Sequence, residues 1–201
     1  MIKRILLLFL LTGFVFAQTT KWQISWDANV EPDMSHYTIF RDTVAVASIL
    51  IDSVQHPTIT YTDSLINNGI TYYYRLQAVD LDGYVSDFSA EVSAAIPNII
   101  QTSFTFQNQT ANRVAFTDLF IDPDNSNAEM TITPTSQINV AVTMFNDSLI
   151  IAPSPLTFIG SASFTLQVSD PSTFNDIKTI LVDFTSTIPA TPTNVVITPN
   201  E

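Results

Sequence analysis

Apolar and polar residues alternate with a period of two along most of the chain. In residues 21–26, Trp22, Ile24 and Trp26 fall on one face and polar side chains fall on the other. A period of two is the spacing of a β-strand with one buried face. The first half is therefore predicted to consist of short strands. Further stretches with strand character lie at residues 37–41, 44–54, 58–62, 71–80 and 88–96.

The second half continues in the same way, and no segment of useful length has the period of an amphipathic helix. Turn-forming residues separate the strands, as in the run DPDNSN at residues 122–127. About seven short strands in roughly 90 residues are typical of two packed sheets. The sequence therefore predicts an all-β fold of two tandem β-sandwiches, at residues 18–97 and 98–186. The predicted strands of the second half lie at 104–107, 114–119, 130–133, 138–144, 149–153, 162–170 and 177–184.

The N-terminus has the three-part layout of a secretory signal. A basic start, MIKR, precedes an uncharged apolar run at residues 5–16, and the run ends at Val15-Phe16-Ala17. The apolar run is shorter than the roughly 20 residues that a membrane-spanning helix needs. We therefore expect residues 1–17 to be removed, with an uncleaved N-terminal anchor as the alternative. The mature chain would begin at Gln18 and be secreted or displayed at the cell surface.

Two long stretches in the first half carry a family pattern. They read ISWDANVEPDMSHYTIFRD at 24–42 and TDSLINNGITYYYRLQAVDLDG at 62–83. These stretches resemble a fibronectin type III domain. The resemblance implies that Trp26 is the core tryptophan of the second strand. It also implies that Tyr72 is the corner tyrosine before the sixth strand, with Leu65 packed beneath it. The usual opening strand before Lys21 is missing, and an uncovered sheet edge invites pairing with another chain.

The second half resembles the cadherin-like and immunoglobulin-like repeats of bacterial surface proteins. The resemblance rests on DLFIDPD at 118–124, LIIAP at 149–153 and GSASFTLQVSD at 160–170. It implies calcium ligands at Asp122, Asp124 and Asp170, with Asp118 assisting, because calcium prefers carboxylate oxygens. The alternative is a solvated acidic turn. Calcium is the one cofactor that the sequence suggests.

A second candidate site lies on the strand at 71–80. Tyr73, Arg75 and Gln77 form the outward row of this strand, opposite Tyr72 and its inward neighbours. Exposed aromatic and arginine side chains serve recognition, so this row is a candidate site for a glycan or a peptide. The alternative is cross-strand packing on a solvated face.

Charge and composition exclude several classes of function. Seven basic residues face nineteen acidic ones, and removal of Lys3 and Arg4 with the signal leaves a net charge of −14. Such a surface repels phosphate backbones, so nucleic acid is excluded as a partner. The chain has no cysteine and only two histidines, His36 and His56, which excludes thiol catalysis and disulfides. No nucleophile, zinc or nucleotide motif occurs, so we predict no enzymatic activity.

These observations predict a non-catalytic structural or adhesive module of an exported bacterial surface protein. An extracellular protein or a glycan is its expected partner, and no membrane insertion of the mature chain is expected. The alternative is a pair of accessory domains from an extracellular hydrolase. Residues 187–201 are predicted to be a proline-rich linker followed by a strand-like segment at 193–199 that resembles the opening strand of a type III domain. That segment either begins a further domain or folds back to supply the missing strand.

Overall fold

The computed structural model describes residues 21–186, which form fifteen strands and one single-turn helix, α1 (Phe116–Leu119). The predicted all-β class is confirmed. The predicted signal at 1–17 and the tail at 187–201 lie outside the described residues. The strands are β1 (Trp22–Ser25), β2 (Met34–Asp42), β3 (Ile49–Gln55), β4 (Thr60–Asp63), β5 (Tyr72–Asp80), β6 (Val92–Ala94), β7 (Asn98–Ile99), β8 (Ser103–Gln107), β9 (Asn112–Ala115), β10 (Phe120–Ile121), β11 (Thr131–Ile138), β12 (Val140–Met144), β13 (Ser148–Pro153), β14 (Gly160–Ser169) and β15 (Asn175–Thr185).

Strands β1 to β6 make the first sandwich. One sheet pairs β1 with β4, and the other has the order β3-β2-β5-β6, with every pairing antiparallel. The aromatic and β-branched residues that favour strands supply the buried faces. Their side chains meet between the two sheets and exclude water from a core of Trp22, Ile39, Ile66, Tyr72, Tyr74 and Ile96.

Strands β7 to β15 make the second sandwich. The larger sheet has the order β11-β14-β15-β8, in which β8 runs parallel to β15. The facing sheet has the order β12-β13-β9, and β7 pairs with β10 beside it. Strand β14 alternates buried and half-buried positions from Ala162 to Val168, as a period of two requires. The largest of the fully buried side chains here are Phe120, Phe164 and Phe184.

The two cores meet at a short junction. The first core ends at Ile96 and the second begins at Ile99, on either side of the buried Pro97. Phe174, in the turn between β14 and β15, packs against the first core, with its ring centroid 5.6 Å from that of Trp22. The second sandwich therefore contributes a side chain to the core of the first. The predicted boundary after residue 97 falls within this junction and stays a prediction.

The tryptophan at the centre of the first core is Trp22, and not Trp26 as the resemblance implied. Trp22 is 5% exposed and contacts Tyr72 and Tyr74 edge-on, with ring centroids 5.6 and 5.9 Å away. Trp26 follows the end of β1, is half-buried, and lies edge-on against Tyr37. Both indoles face the same side, so alternation alone could not decide which one lies at the centre.

The residue expected beneath Tyr72 is also different. Leu65 is 78% exposed, whereas its neighbour Ile66 is 7% exposed and belongs to the core. The backbone of Leu65 explains its position, since its N–H donates to Asp63 and its carbonyl accepts from Arg41. These bonds hold the turn after β4 so that the next residue enters the core.

Candidate functional site

Internal contacts occupy the outward row of β5. The Arg75 guanidinium lies 4.0 Å from the ring centroid of Phe88, and its Nε donates to the Ala47 carbonyl at 3.0 Å. Gln77 Nε2 donates to the Ser86 carbonyl at 2.8 Å, and Tyr73 is half-buried. This geometry favours the cross-strand packing alternative over a free recognition row.

Exposed apolar side chains lie on the loop before β3 and at the start of that strand. Four large side chains there are exposed, and we name them the 44–50 patch: Val44, Val46, Ile49 and Leu50, which are 63%, 66%, 57% and 56% exposed. The sequence predicts a strand over 44–54, whereas β3 begins at Ile49, and Val44 and Val46 before it are exposed. The signal was the lack of alternation in this apolar run, because a strand with one buried face would have placed polar residues between the apolar ones.

Hydrogen bonds to Glu91 hold the loop that carries the 44–50 patch. The Glu91 carboxylate accepts the N–H groups of Val46 and Ala47 at 3.1 and 2.7 Å. These bonds lower the pKa of Glu91, and Arg75 lies 3.9 Å from the same carboxylate. Val46 has a φ of 67°, a left-handed conformation that is rare for a β-branched residue. The anchored loop thus presents apolar side chains in a fixed position.

A buried charged network ties the two sheets of the first sandwich together. The Asp63 carboxylate is 2.7 Å from Arg41 Nη1, and it accepts the Tyr74 hydroxyl at 2.8 Å. Burial and the adjacent carboxylate raise the pKa of Tyr74 above its ordinary range. Tyr72 is buried, and its hydroxyl accepts the N–H of Asn67 at 3.1 Å. The bond between the Tyr72 hydroxyl and the backbone of Asn67, five residues earlier, is typical of a tyrosine corner.

The three carboxylates proposed as calcium ligands lie at the junction, but protein groups hold each of them. Asp124 Oδ2 accepts the N–H of Ala95, at 2.9 Å, across the junction. Asp122 Oδ1 accepts the N–H of Asp124, and Asp170 Oδ1 accepts the N–H of Phe174. Within residues 21–186, no group of three histidine, aspartate or glutamate side chains is arranged to hold a metal ion. The calcium hypothesis therefore gains no support from the geometry, and of these three bonds the one from Ala95 to Asp124 crosses the junction.

Asp122 lies beside Asp124, and the protonation of Asp122 is linked to folding. Burial, reinforced by the hydrogen bond and negative charge of Asp124, raises the pKa of Asp122 to about 6. Burial and the Asp124 charge also raise the pKa of Asp170. A raised carboxyl pKa means that the folded state binds more protons than the unfolded state. The junction therefore loses stability as the pH rises from about 4 through about 6.

Replacing Asp122 by asparagine tests this linkage. The full shift would correspond to about 3 kcal/mol, and solvent access reduces the expected effect to about 1 kcal/mol. We expect the wild-type free energy of unfolding to fall by about that much between pH 4.5 and pH 7.5, relative to the Asp122→Asn variant. Urea titrations in chelator at both pH values measure the difference. Equal pH dependence in the two proteins would contradict the assigned cause.

The two histidines of the described residues have different neighbours. His36 and Ser35 are neighbours on β2, and His36 Nδ1 is within 3.1 Å of the Ser35 hydroxyl. The His56 ring lies 6.5 Å from that of Tyr37, with the two ring planes at 52° to each other. No helix among the described residues is long and apolar enough to cross a membrane.

A concave surface lies between β1 and β6 in the first sandwich. Two hollows of about 400 and 240 Å³ share Ile24, Tyr74 and Val92 and run along the side of β1. We call them together the β1–β6 groove. Trp22 and Phe174 line the end at the junction, and Leu76 and Phe88 line the far end. The lining is mainly apolar, so the groove suits an extended apolar segment better than a charged ligand.

No family model matches the chain, and no curated protein matches it. Solved structures with a similar course of the chain include the fibronectin(III)-like modules of CbhA from Clostridium thermocellum. That match has 12% identity and a TM-score of 0.33, and it covers 84% of this chain and 87% of that one. The chicken CNTN1 FN1-FN3 domains match at 12% identity and a TM-score of 0.35, over 90% of this chain and 67% of that one.

Two longer proteins also match over small parts of their length. The endo-fucoidan hydrolase MfFcnA9 of glycoside hydrolase family 107 matches at 16% identity and a TM-score of 0.35, over 81% of this chain and 27% of that one. The human Desmocollin-1 ectodomain matches at 14% identity and a TM-score of 0.34, over 86% of this chain and 37% of that one. With every TM-score below 0.5, these likenesses carry no argument about function.

Proposed function

We propose that the chain is a non-catalytic structural module of an exported bacterial surface protein, which holds two sandwiches as one rigid unit and presents an adhesive face. The observation that carries this proposal is the junction, where residues from both sandwiches share packing and hydrogen bonds. A spacer needs such a joint, because interfaces between domains otherwise permit relative motion.

Three contacts make the joint. The Phe174 ring packs on Trp22, and Asp124 accepts a hydrogen bond from the backbone of Ala95. The third contact is the close approach of Gly69, where a Cβ would lie 3.1 Å from Asn98 Cβ and 3.2 Å from Ile121 Cδ1. Packing and hydrogen bonding at one place restrict rotation about the short connection at residue 97.

The 44–50 patch is the adhesive face of the proposal. Its four apolar side chains are each more than half exposed, and exposed apolar side chains are candidates for contact with a protein partner. A glycan would require exposed polar and aromatic groups together, and the patch has no aromatic residue. The surface therefore fits an extracellular protein better than a glycan.

Gly69→Ala tests the joint, with Gly83→Ala as the matched control. Both glycines have a positive φ, 76° and 87°, so each alanine carries a similar backbone strain of about 1 kcal/mol. At Gly83 a Cβ meets no atom within 4 Å. We therefore expect Gly69→Ala to lower the free energy of unfolding by about 2–3 kcal/mol, since it adds a clash at the junction, and Gly83→Ala to lower it by only about 1 kcal/mol.

The same variants report on coupling between the sandwiches. Both tryptophans lie in the first sandwich, so their fluorescence follows that unit, whereas far-ultraviolet circular dichroism follows both. Coincident urea transitions are expected for the wild type and for Gly83→Ala, and separated transitions for Gly69→Ala. Separate transitions in the wild type would contradict the rigid joint. Turnover of a substrate by the purified chain would contradict the non-catalytic assignment.

A further inference from the structure

One edge of the first sandwich lacks a neighbour within residues 21–186. Strand β1 pairs only with β4 there, in a two-stranded sheet. The Trp26 N–H bonds to the Ile59 carbonyl at 3.2 Å, and hydrogen-bonded positions alternate along an antiparallel pair. The N–H and C=O groups of Gln23 and Ser25 therefore point away from β4, toward the free side. These are the groups that an added strand would bind.

The β1–β6 groove lies beside this free edge. Its floor includes Tyr74 and Leu76, and its two sides are β1 and the region of Val92. An added strand would thus bond to β1 with its backbone and cover the open side of the core with alternate side chains. This is the geometry of strand addition, in which backbone bonds give affinity and pockets take every second side chain.

The chain itself contains a segment with the required pattern. Residues 194–198, NVVIT, place Val195 and Ile197 on one face and Val196 on the other, and Pro192 and Pro199 bound them. Proline is confined to strand ends and edges, so the flanking prolines limit the strand to a length similar to that of β1. The segment has no charge, which suits an apolar groove in an acidic protein.

Reach decides which copy of the segment can bind. Strand β15 carries the chain from the junction at Asn175 to Thr185, which is about 33 Å. A strand antiparallel to β1 begins at the far end of the groove, beside Ser25, about 10 Å further away. Residues 186–193 extend over at most about 29 Å. The segment therefore cannot reach the groove of its own chain as a strand antiparallel to β1.

We propose that residues 194–198 of one copy bind the β1–β6 groove of a second copy as an added strand. The contact is head-to-tail, so each copy offers one segment and one groove, and repeated binding extends an open chain of copies. This proposal rests on the proposed function, because the chain that associates is taken to be the exported one, without residues 1–17. It names a second copy as a partner of the module.

Sedimentation equilibrium of the chain from Gln18 to Glu201 tests the proposal, with three variants. Ile197→Asp places a charge on the buried face of the segment, and Val196→Asp places the same charge on its outer face. The third variant ends at Ser186. None of these changes falls within the described sandwiches. The weight-average mass of the unaltered chain is expected to rise with concentration by mass action. Ile197→Asp should weaken association at least about tenfold, Val196→Asp by less than about threefold, and the shortened chain should stay monomeric.

A synthetic peptide of residues 191–200 gives an independent measurement. It should bind the shortened chain and change the fluorescence of Trp22 and Trp26, which line the groove. Four results would overturn the proposal: a monomeric unaltered chain at millimolar concentration, equal effects of the two aspartates, undiminished association without the tail, or no binding of the peptide. A monomeric chain that Ile197→Asp destabilises would place the segment in its own groove. A negative result for strand addition would not contradict the rigid junction, because the Gly69→Ala variant tests the junction separately.

Discussion

Asp63→Ala is expected to lower the free energy of unfolding by about 3–5 kcal/mol, the cost of breaking a buried ion pair from one side. Asp63 is 1% exposed, and it is the counter-ion of Arg41 at 2.7 Å. Its removal also leaves the Tyr74 hydroxyl and the Leu65 N–H without their acceptor. Unpaired buried polar groups are costly, so the whole turn after β4 loses its anchor.

Asp183→Ala is the matched control for this change. Asp183 also lies on a strand and accepts a hydrogen bond, from the Ser161 hydroxyl at 2.6 Å, but it is exposed. A surface substitution of this kind should cost less than about 0.5 kcal/mol. Urea unfolding followed by tryptophan fluorescence and circular dichroism measures both variants. Equal losses from Asp63→Ala and Asp183→Ala would mean that the network does not hold the first sandwich together.

Trp22→Ala should cost about 3–5 kcal/mol, as expected for the loss of a buried aromatic side chain. The indole contacts Tyr72, Tyr74 and, across the junction, Phe174. The cavity would thus open at the point where the two cores meet. We therefore expect the change to weaken the second sandwich as well as the first.

Trp26→Ala provides the comparison. Its indole is half-buried, so its removal should cost roughly 2 kcal/mol, in proportion to the apolar area returned to water. The remaining tryptophan reports unfolding by fluorescence in each variant. A larger loss from Trp26→Ala than from Trp22→Ala would restore the assignment that the family resemblance implied.

The strand pattern predicted the fold class because alternation is a local property. It placed Trp22, Ile24 and Trp26 on one face, and the structure has that face toward the core. Depth within the core is not local, since it depends on which strands lie opposite. The resemblance therefore ranked the wrong tryptophan and chose Leu65 instead of Ile66.

The candidate sites show the same limit. Arg41 ends the predicted strand at 37–41 and Asp63 directly follows the one at 58–62, and that pairing of opposite charges could have predicted the buried network. The row on β5 could not be judged from the sequence, because one partner of Arg75, the Ala47 carbonyl, lies in a loop far earlier in the chain. The contact of Phe174 with Trp22 likewise joins residues far apart in the chain.

Residual dipolar couplings measured in one weakly aligned sample test the rigid joint most directly. Couplings from strands β2 and β5 define an alignment tensor for the first sandwich, and those from β14 and β15 define one for the second. Two units locked by Trp22, Phe174 and Asp124 should give tensors of the same magnitude and orientation. Tensors that differ in magnitude would show independent motion and contradict the rigid module.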